Sequence, residues 1–167
     1  MKKIIFSWFP CLAFSLILLL PIVYNEFGSV LGQQKEYNNH TTLVSVGGEN
    51  LSATLSTTPE SQSKGLAIKD SIEQNEGMLF IFKSPQKYSF WMKDMKFPID
   101  ILWIDSSGKI VHIEKNLQPC VFLLPCPSYS PHDDSLYVLE VISNFTNKFD
   151  INIGDQVYSN VIQHTQS

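Results

Sequence analysis

Tyr88–Asp105, YSFWMKDMKFPIDILWID, constrains this chain more than any other stretch. Outside the N-terminus it is the most apolar and aromatic run, and Asp100 stands alone within it among large hydrophobes. A charged group in such company must be paired or hydrogen-bonded. The stretch therefore reads as the place where a packed core meets a site. Pro98 restricts its predecessor, so a strand is expected to begin at Ile99. Asp105-Ser106-Ser107-Gly108-Lys109 is a short loop with glycine where a left-handed residue closes a bulged turn. Ile99–Asp105 and Lys109–Lys115 thus read as a hairpin.

If Asp105 faces Lys109, Trp103 meets Val111, Ile101 meets Ile113 and Ile99 meets Lys115 on a core face. The other face pairs Ile104 with Ile110, Leu102 with His112, and Asp100 with Glu114. That register gathers Asp100, His112 and Glu114 at one end of the hairpin. A slip of one residue scatters them, because it exchanges the faces. Two facing carboxylates repel unless a proton, a lysine or a metal ion sits between them. With His112 as a third ligand a divalent metal is chemically reasonable. The plainer reading is a solvated rim with Lys93, Lys96 or Lys115 nearby. No metal-ligand motif is present, so no metal or other cofactor is assigned.

The rest of the chain reads mostly as strands. TTLVSV from Thr41 and LSATLS from Leu51 each alternate, with Gly47–Asn50 as the turn between them. Thr58 can cap a helix, Pro59 fits its first position and Glu60 suits its positive end. That short helix is expected to reach Ala67, followed by a polar loop over Lys69–Glu76. GMLFIF from Gly77 is a continuous apolar strand, broken by Ser84-Pro85. Tyr88–Met92 reads as a further strand, and Lys93–Lys96 as a turn. Tyr137–Ile142, YVLEVI, is apolar except for Glu140. If Val138 and Ile142 share its face, Glu140 is buried and must be paired or protonated. Asn144 can cap a short helix through Phe149, and Gln156–Ile162 reads as the last strand.

Lys2 and Lys3 precede an uncharged apolar run, Ile4–Val23. A signal-peptide core is about 7–15 residues and a spanning helix about 20. A cleaved signal ending near Gly32 and an uncleaved anchor both fit. Either way the lysines stay inside and the remainder is exported. Residues 1–32 are therefore assigned to a signal peptide or anchor that holds the protein to the membrane if uncut, 33–40 to a linker, 41–162 to one β domain, and 163–167 to a tail. All 12 basic residues are lysine and the net charge is −4, which argues against nucleic acid as a partner. Asn116–Pro131 reads as a long loop in which Cys120 and Cys126 flank an apolar tip, Val121–Leu124, and in an oxidising compartment are expected to pair. Cys11 lies in the export segment. His132-Asp133-Asp134 reads as solvated loop. Three glycosylation words, at Asn39, Asn50 and Asn144, are compatible with export.

Lys64-Gly65-Leu66, GMLF at Gly77–Phe80, SFWMKD at Ser89–Asp94, PIDI at Pro98–Ile101, Gly108–Val111, Pro119-Cys120, Tyr129, YVLEV at Tyr137–Val141 and Ile153-Gly154-Asp155 occur in this order. Over Thr41–Tyr158 the chain resembles the domain of unknown function 192 family, also called uncharacterised protein family 0127. Ala67 departs from the methionine expected after the Gly-Leu pair. The resemblance implies a compact, mainly β fold of sandwich or jelly-roll type, often exported, and carries over no activity. With the reading of the residues it gives a single β-sandwich or jelly-roll-like domain with two short helices, preceded by the N-terminal hydrophobic segment. Three functions stay open. The first is a non-enzymatic exported module that binds a saccharide, envelope component or protein partner through Trp91, Lys93 and Asp94. The second is a metal-assisted or carboxylate-dependent hydrolase using Asp100, His112, Glu114 or Glu140. The third is a purely structural envelope domain.

Overall fold

The computed structural model describes residues 40–120 and 125–163. The expected leader, most of the linker, Cys11, the Asn39 glycosylation word, the Val121–Leu124 tip and the last four residues of the tail lie outside the described residues. Eight strands make up most of the regular structure of the described residues. β1 (Thr41–Val46), β2 (Glu49–Ser56), β3 (Glu76–Gln86), β8 (Ser135–Ile142), β5 (Ile99–Ile104) and β6 (Ile110–Leu117) form one sheet in that order. β4 (Phe90–Trp91) and β7 (Ser128–Tyr129) form a second, two-stranded sheet. α1 (Pro59–Lys64), a 3-10 turn (Gly65–Ile68), α2 (Phe145–Lys148) and α3 (Asn160–Gln163) complete the described elements. The fold is mainly β and sandwich-like, as expected.

The β1–β2 hairpin forms as the alternation predicts, with Val46 opposite Glu49. Gly47 and Gly48 both take positive φ, 60° and 81°, which a two-residue hairpin turn of this hand requires. β2 and β3 then run parallel, so a crossover must join them, and α1 with its 3-10 turn supplies it. All other neighbours in the large sheet are antiparallel.

The central strands are apolar on both faces because both faces are covered. One core gathers Leu79, Leu102, Ile104, Leu139 and Val141 with Phe145, Ile151 and Val157. The other gathers Met78, Phe80, Ile99, Ile101, Trp103 and Val138 with Leu66, Met92, Met95 and Phe97. Residues 78 to 80, 101 to 104 and 137 to 139 alternate between the two, as pleating demands. The second core lies under α1, the 3-10 turn and the segment around β4, and the candidate site is on that side.

Several expectations are corrected. Ser84-Pro85 does not end β3. The strand runs on to Gln86 with a register irregularity after Ile81, the kind of place where a strand tolerates proline. Tyr88–Met92 contributes only the two residues of β4. Asn116–Pro131 is not all loop, since β6 extends to Leu117 and β7 lies within it. Gln156–Ile162 is not a strand. It makes isolated bridges, Lys109 with Gln156 and Ser45 with Tyr158, and then turns into α3.

The hairpin register is the correction that matters most for function. Ile104 faces Ile110 as expected, but a bulge follows, so Trp103 faces His112 and Ile101 faces Glu114. A second irregularity brings Ile99 opposite Leu117. The bulge adds one residue to β6 and passes His112, Ile113 and Glu114 to the other face. Asp100 and Glu114 therefore point to opposite sides of the sheet, and the expected cluster of Asp100, His112 and Glu114 does not form.

Candidate functional site

The site is built on Glu140, in the middle of β8. Its strand neighbours are Met78 of β3 and Ile101 of β5. Its side chain therefore rises into the second core, where it is 4% exposed. One carboxyl oxygen accepts the backbone N–H of Leu66 at 3.1 Å. Burial pushes its pKa up from 4.5 to about 7, partly opposed by that N–H. The carboxyl thus holds its proton well above the pH at which an exposed glutamate loses it.

The 3-10 turn comes so close because α1 begins and ends in fixed places. Thr58 accepts the N–H of Ser61, and the Ser61 hydroxyl accepts the N–H of Thr58, a reciprocal cap. Gln62 donates to the carbonyl of Ile81 at 2.9 Å and ties the helix to β3. At the far end Gly65 takes φ 52°, and a Cβ there would meet the Glu140 oxygens at 3.1 and 3.3 Å. Glycine is needed both for that conformation and for the close approach.

Beside Glu140 the walls are aromatic. Phe80 meets Phe90 edge to face at 5.0 Å, and Phe90 meets Trp103 likewise at 5.8 Å. Phe82 stacks on Tyr88 at 3.5 Å. The Trp103 indole donates to the Tyr88 carbonyl at 2.8 Å and so holds the segment before β4 against β5. Between these rings and α1 lies a cavity of about 210 Å³, lined among others by Gln62, Lys64, Trp91, Lys93 and Glu140. An adjoining depression of about 300 Å³ shares Ser63, Lys64, Trp91 and Lys93 and adds Asp94. Trp91 is 54% exposed at the mouth, with the Lys93 ammonium 5.4 Å from its ring centre. β7 pairs with Trp91 through Ser128, and Cys120 donates its N–H to the Met92 carbonyl. The Cys120–Cys126 disulfide forms as expected, with Cα atoms 5.6 Å apart, and braces the loop that backs β4.

Trp91 and Lys93, singled out in the sequence, thus stand at the mouth of the cavity that Glu140 lines, and Asp94, also singled out, lines only the adjoining depression. Asp100 is elsewhere. It is fully buried on the other face and accepts from the N–H groups of Asn116, Asn144 and Thr146 and from the Thr146 hydroxyl, at 2.6 to 3.2 Å. Both its oxygens are engaged, and the charge is met by oriented amides. Asn144 makes no side-chain cap to α2; Asp100 does that work from β5. His112 and Glu114 do stay together, 3.2 Å apart, with the His132 ring edge-on to His112 at 5.5 Å. Among the described residues no three His, Cys, Asp or Glu side chains group as a metal site. Sequence reasoning missed Gln62, Lys64 and Gly65. Their signal was the capped helix between two strands that must be parallel, since such a crossover lies across one face of the sheet.

A model of the DUF192 family, described as Uncharacterized ACR, matches residues 42–159. No curated protein matches the chain. Two crystal structures have the same fold. One, of a proposed transcription regulator from Sinorhizobium meliloti 1021, has 25% identity and a TM-score of 0.68 over 74% of this chain and 97% of that one. The other, of a protein of unknown function from Novosphingobium aromaticivorans DSM 12444, has 24% identity and a TM-score of 0.67 over 75% of this chain and 89% of that one.

Proposed function

The chain belongs to the DUF192 family, and from that premise we propose that it is an exported binding module whose site is the cavity between α1 and β4. The observation that carries the reading is the exposed Trp91 face, flanked by Lys93, at the mouth of an aromatic-walled cavity with a polar floor. Ligand pockets combine apolar walls with a few convergent polar groups. A flat exposed indole beside hydrogen-bonding side chains suits the apolar face and hydroxyl rim of a sugar ring. The volume of about 210 Å³ lies below the roughly 300–1,000 Å³ of drug-sized pockets, so the ligand is a small saccharide or the end of a longer one. Export rests on the lysine-led apolar N-terminal run and agrees with the disulfide. Among the described residues no helix is long and apolar enough to cross a membrane.

The hydrolase reading finds less support. Glycoside hydrolysis uses two carboxyl groups flanking the bond. Among the described residues Glu140 is the one carboxyl group lining the cavity, and Asp94 lines only the adjoining depression. Titrating the full chain with a panel of mono- and disaccharides by calorimetry tests the binding reading. Saturable binding, weakened at least tenfold in Trp91→Ala, is expected. Full retention of affinity in that variant would remove the site.

A further inference from the structure

Deepening that reading, and resting on it, we propose that the cavity selects a sugar carboxylate, a uronic-acid-type ring, over the neutral sugar. Its acid group would lie between the ammonium groups at the mouth and a protonated Glu140.

Three observations converge. Lys64, in the last turn of α1, and Lys93, beside Trp91, both line the cavity and its adjoining depression. Among the described residues neither lysine lies within ion-pair distance of a carboxylate, whereas Lys69 is held by Glu76 and Lys96 by Asp70. The mouth therefore carries two ammonium groups outside any ion pair, Lys93 lying over the Trp91 ring, with Asp94 in the adjoining depression. Beneath them Glu140 uses one oxygen on the Leu66 N–H, and its other oxygen has no hydrogen-bond partner among the described residues. A buried polar atom left in that state is costly, and a ligand atom opposite it removes the cost.

The charge of Glu140 decides which ligand atom fits. Lys64 lines the same cavity from α1, Tyr88 and Lys93 line it from the segment around β4, and Asp94 lines the adjoining depression. β3 and β5 present Met78, Phe80 and Ile101, with no titratable group. Apolar strands below and the desolvated site favour the neutral carboxyl, in keeping with its raised pKa. A protonated carboxyl donates one hydrogen bond, and a carboxylate is its strongest acceptor. The lysines then balance the charge brought in. An amine ligand would instead meet two ammonium groups at the entrance.

Calorimetry on the full chain with glucuronate, glucose and glucose 6-phosphate tests this. At pH 6 glucuronate is expected to bind at least tenfold tighter than glucose. Only the protonated form of Glu140 receives the carboxylate, so its affinity should fall about tenfold between pH 6 and pH 8. Glu140→Gln, which keeps a donor and cannot ionise, should bind glucuronate with no such pH dependence. Lys93→Ala, an exposed substitution, should lose the preference for glucuronate over glucose. Equal binding of glucose and glucuronate overturns this inference and leaves the saccharide reading standing. Tighter binding of glucose 6-phosphate than of glucuronate overturns it in favour of a phosphate. An unchanged pH dependence in Glu140→Gln removes Glu140 from the contact. Binding of none of the three defeats the saccharide reading itself.

Discussion

Asp100 and Glu140 sit diagonally on neighbouring strands, β5 and β8, and face opposite ways. Both are buried acids, but their surroundings differ. Asp100 binds three backbone amides and a hydroxyl. Two of those amides belong to Asn116 and Asn144, which hold the left-handed backbone at φ 50° and 69°. The carboxylate thus fixes two tight turns and the start of α2. Asp100→Ala leaves those donors orphaned and should cost about 4 kcal/mol in urea unfolding while sparing ligand affinity; a cost below about 1 kcal/mol would deny the role. Glu140 has one amide and a raised pKa, about 7 in the folded state against 4.5 for a free carboxyl. The folded protein then binds that proton more tightly than the unfolded chain does. Its contribution is full below about 4.5 and is lost as pH rises to about 7. Glu140→Gln should therefore match wild type near pH 4.5 and be more stable by about 3 kcal/mol at pH 8, read from unfolding at both pH values. The run YVLEVI made the burial of Glu140 legible in the sequence. That Asp100 needed partners was also legible. Which partners it takes was not, because they come from turns 16 to 46 residues away.

At the scale of elements, local chemistry is read well and pairing less well. The glycine turn of β1–β2 and the Thr58-Pro59 start of α1 follow from side-chain identity alone. The β5–β6 register does not. Its bulge lies at Val111, where nothing in residue type distinguishes one inserted residue from none, and that insertion parts Asp100 from Glu114. The two-residue β4 likewise depends on β7, some forty residues on. The joint between α1 and the 3-10 turn is the element on which the site depends most. Gly65→Ala forces a Cβ onto a backbone at φ 52° and against the Glu140 carboxyl. It should lower stability by about 2 kcal/mol and weaken ligand binding together. Stability lost with binding intact would show that the turn does not shape the cavity.

Across the whole molecule, one sheet separates two tasks. On the Asp100 side the acid, α2 and the C-terminal segment close a core, and both Asp100 oxygens are taken up by the turns it holds. On the Glu140 side the crossover helix and the segment around β4 stand around an opening with a tryptophan at its rim. The mainly β class was readable from alternation and turn residues. The convergence of Trp91, Lys93 and Glu140 was not, because it arises from the parallel β2–β3 crossover folding over the antiparallel centre. The most direct test is an amide NMR titration of the full chain with glucuronate at pH 6. Shifts concentrated at Leu66, Trp91 and Lys93, with Asn116, Asn144 and Thr146 unmoved, are predicted. Shifts concentrated at the Asp100 turns or around His112, with Leu66 and Trp91 still, would contradict the account.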